Sequence, residues 1–429
     1  MLIQFKFGNY ASFRDDSVLD MTKSRVTEYP HHVVDCGTDK VLKTTAVYGA
    51  NASGKTNLYR ALRCMRDYVL NSWGYGGNSG SLSTAGNMPL CMPFILDGAS
   101  AVKDTMFEVW FYREEDKRSY NYGFSISRNY TVTDEWLNSK ARTAREYKPV
   151  FSRSREGEIT YSDGVLNDVQ RNIIRTSLNK ETLVISLGAK LKMPIFERVF
   201  QWFAGIQMLD FGTPAENFLM SRSMPVTFFT DINEQNDTAR FLSTFDNSIK
   251  GFKVEKLDSN PANPGDSYHI FAKHKMNDTG DECLLPMEFE SAGTQKMFTL
   301  YPPLKEVLMN GGVIFIDELS DRLHPLLQRN LILTFLNPEL NPKNAQLIFT
   351  THDVTLIATN LLRRDEIWIV EKQEDSSSQL YSVTDFKNAQ NTTVHKNDSV
   401  WKRYLLGEYG GIPDLEKILI PGLEKGDGA

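Results

Sequence analysis

The sequence predicts an α/β fold with an open, parallel central sheet. Three observations predict it. Thr44–Tyr48, Val313–Asp317 and Ala345–Thr350 are short, largely apolar or β-branched runs, as buried parallel strands are. After the first run, Leu58, Ala61, Leu62, Met65 and Val69 fall at i, i+3, i+4, i+7 and i+11, one face of a helix. The other two runs end in polar or acidic residues, and open sheets of this class collect ligands at the carboxyl ends of their strands.

The first element is Met1–Phe7, whose apolar and polar residues alternate as in a strand. It lacks the cationic start and apolar block of a secretory signal. Between the 44–48 strand and its helix lies Gly49-Ala50-Asn51-Ala52-Ser53-Gly54-Lys55-Thr56, the pattern G-x-x-x-x-G-K-[ST], followed by Asn57. Backbone N–H groups of such a loop wrap a triphosphate. Glycine permits the tight turn, the lysine reaches the β- and γ-phosphates, and the hydroxyl ligates Mg²⁺. The helix N-terminus behind the loop faces the same anion. A nucleotide triphosphatase of the P-loop class, using Mg²⁺, is the expectation.

The chain then divides. Residues 1–70 form a first lobe with the loop. Residues 71–284 read as an insertion. It starts with glycine-rich loop sequence at 74–86. A strand pair follows at 104–128, turning at Glu114–Lys117. A mainly helical stretch occupies 165–250, and a proline-bearing polar segment 258–266. Residues 285–375 regain α/β character, and 376–429 are a C-terminal extension. Gln373–Ser378 reads as a hairpin tip. Neither internal repeats nor sustained heptads occur.

The second half of the site is expected in the later lobe. The strand Val313–Asp317 delivers Asp317 and Glu318 at its end, one to hold Mg²⁺ and one to polarise water. Apolar runs ending in two acids are also ordinary strand ends. Ala345–Thr350 is followed by Thr351-His352-Asp353, so His352 sits at a strand tip. Taken alone it is a structural or surface histidine. Glu290-Ser291-Ala292-Gly293-Thr294 is a Ser-x-Gly turn opening a helix. By itself it reads first as a plain N-cap at Ser291, with an anion site as the other reading. Tyr301-Pro302-Pro303 should interrupt the helix that follows.

The 429 residues are 41 % hydrophobic and 24 % charged, as in ordinary globular chains, with room for two or three subdomains. A net charge of −6 argues against a general nucleic-acid coat but leaves room for a local basic groove. Cys36, Cys64, Cys91 and Cys283 are widely spaced, which suggests neither a zinc knuckle nor a disulfide framework. A reducing, cytoplasmic compartment is the simplest expectation. No run approaches the ~18 apolar residues of a membrane span.

These elements, in this order, resemble the ABC-type ATPase heads that include SMC, RecF and the OLD family. The resemblance implies an ABC-type head with an inserted mixed β/helical subdomain. Lys55 and Thr56 would lie in Walker A, Asp317 and Glu318 in Walker B, and His352 would be the switch histidine. Ser291 and Gly293 would form the signature turn, acting on ATP held by a second copy in a homodimer or higher homo-oligomer. The chain more closely resembles the AAA-type ATP-binding proteins of the RloA and AbiLi kind, found in phage-defence loci. Phe7–Asp15, Gly49–Asn57, Pro93-Phe94, Phe107-Glu108, Tyr122–Phe124, Leu323–Pro325, Thr351–Asp353 and Tyr404–Pro413 carry that similarity. It implies a separate, nuclease-like effector partner, because some fifty residues after 376 are too few for a Toprim domain of the OLD type. His324 stands where SMC-like heads place an aspartate, and no Q-loop glutamine is recognisable.

One basic stretch stands apart: Lys140, Arg142, Arg145, Lys148, Arg153 and Arg155, with Tyr147 and Phe151. It reads as a solvated face, or as a track for a nucleic-acid backbone. Arg363-Arg364, followed by Asp365-Glu366, reads as a surface turn. Two rivals remain: a RecF-type clamp on DNA, and a nucleotide-gated scaffold that barely hydrolyses ATP. A small GTPase is disfavoured, since no Asn-Lys-x-Asp run is present.

Overall fold

The protein is described by a computed structural model covering residues 1–75, 91–213, 224–257, 267–386 and 400–412. Most of the glycine-rich 74–86 stretch and the 258–266 segment lie outside the described residues.

The chain opens with β1 (Leu2–Gly8), β2 (Ser17–Asp20), β3 (Val33–Cys36), β4 (Asp39–Leu42) and β5 (Thr44–Tyr48), then α1 (Lys55–Asn71). A meander follows: β6 (Thr105–Arg113), β7 (Arg118–Ile126), β8 (Val132–Ala141), β9 (Lys148–Arg153) and β10 (Ile159–Tyr161). Next come α2 (Asp168–Ser177), α3 (Val184–Lys190), α4 (Pro194–Ala204), β11 (Ile206–Asp210), α5 (Val226–Thr230) and α6 (Ile232–Ser243). A small sheet is built from β12 (Gly251–Leu257), β13 (Ser267–Lys275) and β14 (Glu282–Pro286). The chain then runs through α7 (Ala292–Asn310), β15 (Val313–Asp317), α8 (Pro325–Leu336), β16 (Gln346–Thr350) and α9 (Thr355–Ala358). It ends in β17 (Ile367–Lys372), β18 (Ser378–Ser382) and α10 (Val400–Leu405).

Two sheets enclose α1. One is antiparallel, in the order β10-β9-β8-β7-β6-β1-β2. The other has the order β11-β15-β16-β5-β17-β18, and all its pairings are parallel except β17 with β18. Tyr59 of α1 meets Phe315 of the parallel sheet edge-on at 5.3 Å, and Tyr68 meets Phe124 of the antiparallel sheet at 5.4 Å. A helix between two apolar faces must be apolar around most of its circumference, and α1 is. On β15, Val313 and Phe315 face α1, while Ile314 and Ile316 join the core beneath α7 and α8. That is the period-two alternation of a strand buried on both sides.

The 71–284 segment supplies strands to both sheets. β6 pairs with β1, and β11 pairs with β15. β11 lies inside the stretch read as mainly helical. It is only five residues long, and its partner is about a hundred residues away, so local pattern does not reveal it.

Pro302 and Pro303 do not interrupt α7, contrary to the expectation. A proline inside a helix costs roughly 3 kcal/mol. Met297, Phe298, Leu300, Leu304 and Val307 bracket the pair and are all buried in one core, and burial of each such side chain is worth about 1.5–3 kcal/mol. Packing on both sides of the proline pair outweighs the local defect.

Arg363 is not on a surface turn. It is fully buried. Its guanidinium bonds Asp365 through Nε and Nη2, both at 2.8 Å, and also donates to the carbonyls of Val26 and Glu28. Beside it, buried Glu366 accepts from Thr44 Oγ1 (2.9 Å) and the Arg363 N–H (2.7 Å), and contacts His32 Nδ1 (3.0 Å). Arg364 pairs with Glu28 at 3.2 Å.

Cys64 and Cys91 form a disulfide between α1 and the segment that returns beside it, which the wide cysteine spacing did not suggest. Their separation of 27 residues carries no local signal. Disulfides are rare in reducing compartments, so cysteine usage no longer argues for a cytoplasmic chain. Among the described residues, no helix is long and apolar enough to cross a membrane.

The basic stretch does not form one surface. Lys140 and Arg153 are buried, the first with Asp39 at 2.8 Å, the second donating to Thr182 O at 2.7 Å. Arg142 pairs with Asp35 and Arg155 with Asp104. Only Arg145 and Lys148 of the six remain exposed without such a partner.

Candidate active site at the sheet's carboxyl edge

β5 is buried along its whole length, so the chain leaves the sheet core directly into residues 49–54. Gly54 has φ 121°, and a Cβ there would lie 2.4 Å from Ser378 Oγ. Only glycine fits that position. Ser378 Oγ donates to Ser53 O (2.5 Å) and meets Ser12 Oγ (2.8 Å), while Asn57 Nδ2 also donates to Ser12 Oγ (2.8 Å). The loop is thus braced from outside by the 9–15 segment and by β18.

Lys55 is buried and donates to its own loop carbonyls, Gly49 O at 3.0 Å and Ala50 O at 3.1 Å. Its Nζ is 3.7 Å from Glu318 Oε1. Ser53 Oγ is buried inside the loop with no hydrogen-bond partner among the described residues. A buried hydroxyl and a buried ammonium at a helix N-terminus fit an anion of phosphate type.

Across the edge, Asp317 is almost fully buried. Burial pushes its carboxyl up to about 6; hydrogen bonds from Thr350 and Thr56 work in the opposite direction, and nearby Asp210 and Glu318 add to the rise. Thr350 Oγ1 donates to Asp317 Oδ1 at 2.5 Å and accepts from the Glu318 N–H at 2.8 Å. Glu318 sits in the left-handed region (φ 53°), a conformation costly for a non-glycine residue and often found at functional sites. Its Oε2 is 3.0 Å from His352 Nδ1. So Lys55, Thr56, Asp317, Glu318 and His352, scattered over some three hundred residues, converge on one crevice. A buried carboxylate touching the Thr56 hydroxyl also fits Mg²⁺, which takes one or two protein oxygens and fills its shell with phosphate and water.

The Ser291–Gly293 turn does not join this crevice within one chain. Ser291 Oγ caps α7, accepting from the Thr294 N–H at 3.1 Å, and no hydrogen bond ties it to the loop among the described residues. A Cβ on Gly293 would meet Arg322 O at 3.3 Å, so the turn lies against the 320–324 segment. His324 is the N-cap of α8, its Nδ1 accepting from the Leu326 N–H at 3.2 Å.

One acid was missed. Asp210 ends β11 and stands opposite Asp317 in the parallel register. It caps its own turn, accepting from Gly212 N (2.9 Å), Thr213 N (3.0 Å) and Thr213 Oγ1 (2.8 Å). Ile206–Asp210 ends in an acid as Val313–Asp317 does, and that shared pattern was the available signal.

Residues 44–358 match the family described as "AAA domain, putative AbiEii toxin, Type IV TA system". The chain belongs to this AAA-domain family. The match spans both halves of the crevice, from β5 to α9. The chain is therefore an AAA-type P-loop ATPase by family and fold. Among solved structures it is similar to the SMC head crystallised with the C-winged helix domain of ScpA. There the identity is 14 %, the TM-score 0.43, and the coverage 89 % of this chain and 97 % of that one. No curated protein matches it.

The Asp317 environment makes a testable demand. Its carboxyl binds a proton more tightly folded than unfolded, so without cation the fold loses stability as pH rises from about 4 through about 6. Asp317→Asn removes that cost. It is expected to stabilise the nucleotide-free protein by about 2–3 kcal/mol at pH 7.5, and by progressively less toward pH 4.5. Unfolding midpoints at both pH values check this; an equal gain at both excludes the titration as its source.

Proposed function

We propose that this chain hydrolyses ATP with Mg²⁺ in the cytoplasm and uses the cycle to gate a partner effector. The observation that carries the hydrolytic reading is the contact of Glu318 with both Lys55 and His352 beside a buried Asp317. A loop that only bound nucleotide would have no use for a carboxylate held there in a left-handed conformation.

In this reading the N–H groups of Gly49 to Gly54 hold the phosphates, and Lys55 leaves its loop carbonyls to bond them. Asn57 keeps the loop braced through Ser12. Thr56 and Asp317 hold Mg²⁺, which when bound neutralises phosphate charge. Glu318 accepts a proton from the attacking water, and His352 orients that carboxylate and faces the γ-phosphate. Ser291 and Gly293 act on the nucleotide of a second copy. That assignment is supported by the absence, among the described residues, of a hydrogen bond from the turn to the loop of its own chain, and by Phe289 beside the turn, an aromatic ring 70 % exposed. The resemblance to phage-defence ATPases supports an effector, nuclease-like in chemistry, controlled by a homodimer of this chain. The dispersal of the 140–155 cations disfavours the DNA-clamp rival.

Lys55→Ala tests the loop. A charged hydrogen bond contributes about 1.5–3 kcal/mol, roughly 10- to 150-fold in affinity. Calorimetric titration with ATP and Mg²⁺ should show a loss of that size. Unchanged affinity would remove the loop from the nucleotide site.

A further inference from the structure

Lys296 lies in the second turn of α7 and is only 4 % exposed. Its Nζ donates to Phe211 O at 2.8 Å, Asp321 O at 2.9 Å and Asp321 Oδ2 at 2.6 Å. Those three bonds use all three donors of an ammonium. The cation also lies 4.9 Å from the Phe211 ring centroid. Burial lowers the affinity of this amine for its proton, and Asp321 offsets that only in part.

The residues it holds are not incidental. The Phe211 N–H donates to Asp317 O at 3.0 Å, and the Asp321 N–H donates to Glu318 O at 2.9 Å. Each acid of the crevice is therefore joined to Lys296 through one intervening residue. In the other direction, Lys296 follows Gly293 by less than one helical turn on the same helix. Gly293 in turn lies against Arg322, next to Asp321. No other cation bridges α7 to the segments after Asp210 and after Glu318 among the described residues.

We propose that Lys296 is a positioning residue that links the Ser291–Gly293 turn to the Asp317–Glu318 turn. When a second copy's nucleotide engages the 291–293 turn, α7 moves as a rigid rod, and Lys296 carries that displacement to the carboxylates. The link rests on the hydrolytic reading above. The plain alternative is a buried lysine that only ties the fold together.

A double-mutant cycle separates them. Wild type, Ser291→Arg, Lys296→Met and the double variant are compared for kcat, for ATP affinity and for unfolding midpoint. Lys296→Met is expected to lower kcat about 30-fold, with ATP affinity within about twofold of wild type. Adding Ser291→Arg to it should cost clearly less than Ser291→Arg costs in the wild-type background, because the turn no longer reports to the acids. Lys296→Arg should recover most of the rate. Multiplying effects of the two substitutions, or a kcat unchanged by Lys296→Met, would overturn the link. If Lys296→Met fails to fold, Asp321→Asn replaces it. That change leaves both carbonyl bonds intact, and the same non-additivity is expected, at about fivefold. A wild-type protein that shows no ATP turnover overturns hydrolysis and the link together. Wild-type turnover with additive variants overturns the link alone.

Discussion

Glu318→Gln is expected to cut ATP turnover by about 10²- to 10⁴-fold, the range set by loss of a general base. The amide keeps the size of the carboxylate and loses its ability to take a proton. The bracing hydrogen bond from the Glu318 N–H to Thr350 involves backbone, so the turn should survive. Lys55, 3.7 Å away, loses a carboxylate neighbour that competes with phosphate for its charge. ATP binding should therefore hold or tighten, and the variant should trap nucleotide and, with it, the proposed dimer. Retention of labelled ATP through gel filtration, alongside steady-state phosphate release, reads both effects. Turnover within about threefold of wild type would be a loss of less than about 1 kcal/mol of barrier and would exclude Glu318 as the base.

Arg363→Ala should be the most damaging substitution outside the crevice. It removes a fully buried guanidinium from Asp365, which is itself buried and also holds the Ser24 N–H at 3.0 Å. Two backbone carbonyls, Val26 and Glu28, lose their donor as well. Leaving one partner of a buried ion pair uncompensated costs about 3–5 kcal/mol. The cluster fastens the 22–32 segment to the start of β17, next to β5, which leads into the 49–54 loop. A lowered first transition in urea is the expected result. Replacing Arg363 and Asp365 together by Met and Leu should recover part of the loss, because no unpaired charge then remains. An Arg363→Ala midpoint equal to wild type would show that the cluster contributes no stability.

The parts of the molecule that could be read in advance share a cause. β5, the loop and the α1 stripe are contiguous, and each states its own geometry: five buried residues, two glycines, then a 3.6-residue period. Asp317, Glu318 and His352 were legible because parallel strands deliver whatever follows them to the same edge. What escaped depends on distant partners. β11 is a strand only because β15 lies beside it. Asp210 could not be weighed until that register placed it opposite Asp317. Arg363 looks like any turn arginine until the 22–32 segment folds over it. Lys140 and Arg153 look like two members of one basic run, yet they are buried against different elements. The Pro302-Pro303 pair misled in the opposite sense, because the packing around α7 overrides a local rule.

The most direct test is steady-state phosphate release from ATP and Mg²⁺ by the purified wild-type chain, with Lys55→Ala measured alongside. Hydrolysis at this crevice predicts release that saturates with ATP, requires Mg²⁺ and disappears in the variant. Equal release by the two proteins, or none by either at a concentration where ATP binds, would contradict it.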